Sequence, residues 1–233
     1  MKIIQINAVY EKASTGRTCK ELSDELWKRG HEVYTAYSAG ASDAKHTYKI
    51  GTSRNTKIHA LCSRLFGLQG YYSVIATKRL LNYMDKIEPD IVHLRNLHAN
   101  YINLPILLKY LARKDIATVI TLHDCWFFTG KCTHYVMDNC FKWQLGCNHC
   151  PRLKKDNKSW FFDRTLKMWK DKKELLNAIP RLAVVGVSDW ITAQARQSFL
   201  KNANIIRRIY NWIDLKTFYP RSENVRKKYG IHE

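Results

Sequence analysis

His123 and Asp124 directly follow the β-branched run Ala117 to Leu122 and are the residues best placed to do chemistry in concert. An imidazole beside a carboxylate can orient or polarise a substrate hydroxyl, and the carboxylate can accept one. They form the candidate catalytic pair. The plainer alternative is a strand-end histidine bonded to a loop carbonyl. His93, Asn96 and His98 surround the end of a second apolar run, Ile91 to Leu94. They either line the same cleft or cap the helix expected from Asn103. Near the N-terminus, Ser14, Thr15, Gly16 and Arg17 lie in a loop expected over Glu11 to Arg17, between a strand and a helix. Backbone N–H groups there can face an anion at the helix N-terminus, and Arg17 adds charge. The loop lacks the GxGxxG spacing of a dinucleotide site. An ordinary turn with Ser14 or Thr15 as N-cap is the competing reading.

A second group suggests a metal. Cys132, Cys140, Cys147 and Cys150 follow the pattern C-x7-C-x6-C-x2-C. The C-x2-C half is the compact chelating pair of a structural zinc site, and four thiolates would close a tetrahedron. Cys125, His134 and His149 stand in reserve as ligands. The alternative is a set of small buried hydrophobes beside Phe141 and Trp143. Cys19 and Cys62 fall on expected helix faces and read as core.

The charge balance narrows the partners. There are 39 Lys and Arg against 20 Asp and Glu, a net charge of +19. Anionic partners follow: nucleic acid, a phosphorylated small molecule or an acidic membrane surface. Residues 152–173 concentrate nine of the cations with only three acids, interleaved with Trp160, Phe161, Phe162 and Trp169. That mixture suits an anionic bilayer surface. Phe162, Leu166 and Trp169 are expected on one core-facing helix stripe. Hydrophobic residues at 45% and charged residues at 25% exclude a disordered chain. No run reaches the ~20 apolar residues of a membrane span. Seven cysteines without a signal-peptide pattern point to a reducing cytoplasm rather than a disulfide framework.

Stepping through the elements, strands are expected at Lys2 to Asn7, His31 to Tyr37, Thr47 to Ile50, Ile91 to Leu94, Ala117 to Leu122, Leu182 to Val187 and Ile205 to Ile209. Helices are expected after Gly16 and at Arg54 to Phe66, Tyr71 to Ile87, Asn103 to Arg113, Ser159 to Asn177 and Asp189 to Leu200. Alternation of this kind means an α/β fold, a Rossmann-like doubly wound parallel sheet. Sites in such sheets lie beyond the C-terminal strand ends, where the residues above fall. Residues 125–157 break the period and read as a Cys-rich insertion.

Several segments together resemble the N-terminal half of a bacterial, retaining, sugar-nucleotide-dependent GT-B glycosyltransferase, family 4-like, of the polysaccharide-biosynthesis branch. They are Asn7 with Ser14 to Arg17, Arg29 to Val33, Pro89 to Leu94, Thr121 to Trp126, Phe128 to Gly130 with the cysteines, and Asn211 to Phe218. The resemblance implies two Rossmann-like domains with the site in the cleft between them. Residues 1–210 would be the acceptor-binding domain, and residues 211–233 a linker and the truncated start of a donor-binding domain. Gly16 would approach the donor diphosphate, and His123 the transferred sugar or the attacking acceptor. The implied partners are a nucleotide-sugar donor bound through the other domain, a lipid-linked sugar acceptor and an anionic membrane surface, with no nucleic acid. The implied location is the cytoplasm, peripheral on the inner face of the plasma membrane. No cofactor is implied for catalysis, leaving a structural zinc as the one candidate metal. Trp212 replaces a usual linker glycine, and Arg95 stands where histidine is common. With its donor side absent, the isolated chain is expected to transfer little or no sugar. The alternative from another class is a non-catalytic, metal-stabilised basic module that binds nucleic acid.

Overall fold

The computed structural model describes residues 1–40, 44–220, 226 and 229–231. Seven strands form one sheet, every pair parallel: β1 (Lys2–Val9), β2 (Glu32–Ala39), β3 (Thr47–Lys49), β4 (Ile91–Leu94), β5 (Ala117–Leu122), β6 (Leu182–Gly186) and β7 (Ile205–Arg208). Their spatial order is β3-β2-β1-β4-β5-β6-β7. The order reverses direction between β1 and β4, which opens a crevice at the C-terminal ends of those two strands. The helices are α1 (Ala13–Lys28), α2 (Ser53–Phe66), α3 (Val74–Ile87), α4 (Leu104–Arg113), α5 (Thr165–Asn177) and α6 (Asp189–Gln197). The Rossmann-like expectation therefore holds.

The central strands carry two different faces. Ile4, Ile6, Val92, Leu94, Ile120 and Leu122 bury one face against Leu80, Met84, Leu107 and Leu108 of α3 and α4. On the other face the positions toward the C-terminal ends are polar: Gln5, Asn7, His93 and Thr121. Gln5 donates to the Cys19 carbonyl (2.9 Å) and the Ser23 hydroxyl (2.7 Å) of α1, and His93 pairs with Thr121 (2.7 Å). A buried parallel sheet usually reads apolar on both faces. Here α1 covers a polar stripe, and that stripe runs toward the crevice.

Local capping sets the helix ends. Thr52 and Asn55 form a reciprocal capping box for α2, and Gly67 ends it in the left-handed region (φ 73°). A Cβ at Gly67 would overlap the Phe162 carbonyl oxygen, so only glycine lets the α2 terminus meet that turn. Asn103 caps α4 through Ile106 (3.1 Å), so the preceding His98 is free of that task.

Some boundaries differ from expectation. The helix expected from Ser159 begins at Thr165. Residues 159–162 instead turn back on themselves, Ser159 donating to the Phe162 carbonyl (2.6 Å) and the Trp160 amide to the Arg64 carbonyl (2.7 Å). Phe162 therefore lies outside the helix and is exposed, while Trp169 is buried. The loop expected over Glu11 to Arg17 is shorter, because α1 starts at Ala13 with Lys12 as N-cap. Neither Ser14 nor Thr15 is the cap. Of residues 211–233, expected as a linker and the start of a donor-binding domain, those after 220 fall largely outside the described residues.

The insertion, residues 125–157, has only two short 3-10 turns, Val136–Asp138 and Lys142–Gln144. Two buried lysines hold it. Lys172 of α5 donates to the carbonyls of Trp126 (2.6 Å) and Thr129 (3.1 Å), its ammonium 3.7 Å from the Trp126 ring centroid. Lys131 donates to the carbonyls of Leu153 (2.9 Å) and Asp156 (2.6 Å). Burial pulls the Lys172 pKa down to about 7. Replacing Lys172 by Met keeps the volume but strands carbonyls without donors, so the unfolding free energy is expected to drop by ~2–4 kcal/mol. Urea denaturation of K172M beside the parent tests this, and an unchanged midpoint would refute the lysine's structural role.

Candidate functional site

The crevice between β1 and β4 collects most of the expected residues. Asn7, at the end of β1, accepts from the Asn96 amide (3.1 Å) and donates to the carbonyls of Val9 (2.8 Å) and Thr15 (3.2 Å). It ties the β4 exit to the first turn of α1. Beyond β5, Asp124 receives His98 Nε2 on one carboxylate oxygen (2.9 Å) and the Trp126 amide on the other (2.8 Å). His123 lies next to Arg95, whose Nη2 is 3.5 Å from His123 Nε2. His93, His98, His123 and Asp124 thus belong to one linked group, as their positions at strand ends predict.

Arg95 is the residue that sequence reasoning noticed without giving it a role. It is 3% exposed and donates to Gln5 Oε1 (3.2 Å) and Thr18 Oγ1 (2.7 Å), while its Nε has no partner among the described residues. No carboxylate pairs with it among the described residues; burial lowers its pKa but leaves a guanidinium charged. That charge acts on its neighbours. Burial, reinforced by Arg95, pulls His123 down to about 4, with Asp124 pulling the other way. Burial, Arg95 and His123 together pull His93 down to about 3. Burial opposes ionisation of Asp124, but the His98 hydrogen bond and the Trp126 amide hold its pKa below the ordinary value. At neutral pH the site therefore presents the neutral imidazoles of His93 and His123 beside the ionised Asp124 carboxylate. A guanidinium can only donate, so the contact assigns His123 Nε2 as acceptor and places its proton on Nδ1.

The Gly16 region is arranged differently from its expectation. Gly16 is buried in the first turns of α1, and its carbonyl accepts from the Glu11 amide (3.3 Å). A Cβ there would lie 3.2 Å from both the Glu11 nitrogen and Val9 Cγ2. Its smallness serves close approach of helix and strand, while Ser14 and Arg17 are exposed. Arg17 pairs with Glu21 (3.5 Å). Glu11 and Ala13 both take positive φ (61° and 54°), so the strand-to-helix turn holds backbone conformations costly for non-glycine residues.

The four cysteines converge but do not form a ligand set. Cys132, Cys140, Cys147 and Cys150 all line one small apolar cavity beside Trp143. Among the described residues no group of three His, Cys, Asp or Glu is placed to hold a metal ion. The sulfurs instead bond locally: Cys132 to Cys150, and the Gly130 amide to Cys147 Sγ (3.2 Å). The Cys132 hydrogen bond, with burial opposing it, draws Cys150 down to about 7. Among the described residues the insertion is tied down by the two buried lysines.

A Rossmann-like lobe with its polar group at the β1/β4 crevice is the N-terminal architecture of GT-B glycosyltransferases. The chain belongs to Glycosyltransferase Family 4, matched over residues 15–217. It is 26% identical over 174 residues to the putative colanic acid biosynthesis glycosyl transferase WcaC of Escherichia coli K12, covering 66% of this chain and 40% of WcaC. It superposes on sucrose-phosphate synthase of Thermosynechococcus elongatus with a TM-score of 0.56 at 13% identity, covering 98% of this chain and 52% of that one. The chain thus spans about half the length, or less, of these relatives.

His59, His93 and His123 all have pKa values lowered by burial below the ordinary 6.5. Unfolding lets them take up protons as pH falls through 6.5, so stability is full above that value and declines toward about 4. Urea midpoints measured at pH 7 and at pH 5 should therefore differ, with the lower value at pH 5, and His123→Gln should shrink the difference. Equal midpoints would show that these imidazoles titrate normally.

Proposed function

We propose that this chain is the acceptor-binding lobe of a retaining glycosyltransferase of polysaccharide biosynthesis that uses a nucleotide-sugar donor. The observation that carries this reading is the convergence of His123 with Asp124, which His98 holds, at the topological switch point of a family 4 domain. The proposed acceptor is a lipid-linked pyrophosphate sugar, met at an anionic membrane surface on the cytoplasmic side. The net charge of +19 favours both. Among the described residues no helix is long and apolar enough to cross a membrane.

On this reading His123 donates from Nδ1 to an oxygen of the sugar or acceptor, and Asp124 accepts from a hydroxyl while held by His98. The positive first turn of α1 faces the donor diphosphate across the cleft, with Ser14, Thr15, Gly16 and Arg17 around it. The nucleotide itself is clamped by a donor-binding lobe. Stabilising the departing diphosphate is then the largest catalytic contribution. No step requires a metal or an organic cofactor.

The test is sugar transfer from radiolabelled nucleotide sugars to membrane lipid extract, with the chain alone and with a donor-binding lobe fused after residue 220. Transfer is expected only from the fusion. His123→Ala in the fusion should lower kcat by about 100-fold or more. Full activity of the H123A fusion would remove His123 from the site, and robust turnover by the chain alone would overturn the two-lobe reading.

A further inference from the structure

A second cavity, of about 400 Å³, opens between the C-terminal end of α2 and the turn that follows the insertion. This volume lies within the usual range of ligand pockets, ~300 to 1,000 Å³. Its wall carries three cationic residues, Arg64, Lys155 and Lys158. Lys155 is paired with Asp138 (3.1 Å). Arg64 and Lys158 are exposed and take part in none of the ion pairs among the described residues. The nearby acids are already engaged: Asp138 and Asp156 by Arg152, and Asp163 by Thr165 and the Cys150 amide. The cavity is thus left with uncompensated positive charge.

Two further polar groups in this wall are unsatisfied. Ser63, 4% exposed, has a buried hydroxyl with no partner among the described residues, and so does the side-chain oxygen of Asn100. Both atoms are closed off from solvent, so they belong to the wall's packing, and the exposed cations are what the wall offers a ligand. The cavity is also wired to the crevice. Gln69 lines it, donates to the His98 carbonyl and accepts from Trp126 Nε1 (2.8 Å). His98 in turn holds Asp124.

We propose that this cavity is an anion subsite for a sugar phosphate or diphosphate, with Arg64 and Lys158 gripping the phosphate. Guanidinium matches phosphate oxygens bidentately, and Lys158 adds a point charge. The inference rests on the acceptor-binding reading and extends it, placing the acceptor's phosphate on the α2 side of the crevice. Trp160, also in the wall, and its neighbour Phe161 are 43% and 69% exposed. They put an apolar rim beside the phosphate grip, as a prenyl-linked diphosphate at a bilayer surface requires.

Calorimetric titration of the full chain with inorganic pyrophosphate, and with phosphatidylcholine vesicles carrying farnesyl diphosphate, tests the subsite without any donor lobe. The parent should bind both, the vesicles more tightly, and R64A/K158A should lose about tenfold or more for each. Removing the same charge elsewhere, in K109A/K201A, should change affinity less than about twofold, and R64K/K158R should retain most of it. Equal affinity for the two probes would keep the subsite and assign it a soluble sugar phosphate. Failure of the parent to bind pyrophosphate, or equal losses in R64A/K158A and K109A/K201A, would overturn the subsite. Because no sugar transfer is read, that outcome is separate from failure of the transferase reading.

Discussion

A guanidinium buried without a carboxylate is the constraint around which the crevice is organised. Arg95 leaves β4 under α1, and among the described residues its charge is met by neutral groups, Gln5, Thr18 and His123. An unpaired buried cation is costly, so the surrounding sheet must supply oriented dipoles to keep it. That need explains the polar alternation of the central strands, where Gln5 is itself braced by Ser23 and Cys19 of α1. Burial keeps the neighbouring imidazoles unprotonated, and the same charge reinforces it. The site's protonation pattern thus follows from burial together with one residue's placement.

The insertion shows the same device in another place. A segment of this length without regular structure cannot satisfy its carbonyls by itself. Lys131 and Lys172 collect them from inside, and Arg152 bridges Asp138 and Asp156 at its edge. Trp126, Phe128 and Trp143 then pack beneath, fully buried. Three of the chain's many cations therefore act as internal struts, and the electrostatic excess available to a partner lies in the exposed ones such as Arg64 and Lys158.

The sheet was legible because the strand runs are short, β-branched and separated by capped helices. Ala117–Leu122 and Ile91–Leu94 fall where their periodicity puts them. The site residues were legible because His93, His98, His123 and Asp124 cluster at strand ends that the α/β rule marks as functional. Three features were hidden. Lysine reads as solvated charge, so Lys131 and Lys172 gave no sign of burial. Ser159 to Arg164 has the composition of a helix start, yet its backbone is committed to Arg64 of α2, a partner that no local pattern reveals. C-x2-C suggests a metal but gives no sign of the local sulfur hydrogen bonds the fold forms there, Cys132 to Cys150 and the Gly130 amide to Cys147. In Gln5, His93 and Arg95 the signal was present: polar residues alternating within central parallel strands.

The claim that Arg95 reinforces burial in keeping the site's imidazole neutral is tested most directly by following His123 through a pH titration by nitrogen-15 NMR, in the parent and in Arg95→Met. The account predicts a neutral ring protonated on Nδ1 until pH falls to about 4, and a higher titration point once the guanidinium is removed. Titration near the ordinary 6.5 in the parent, or a profile indifferent to Arg95, would contradict it.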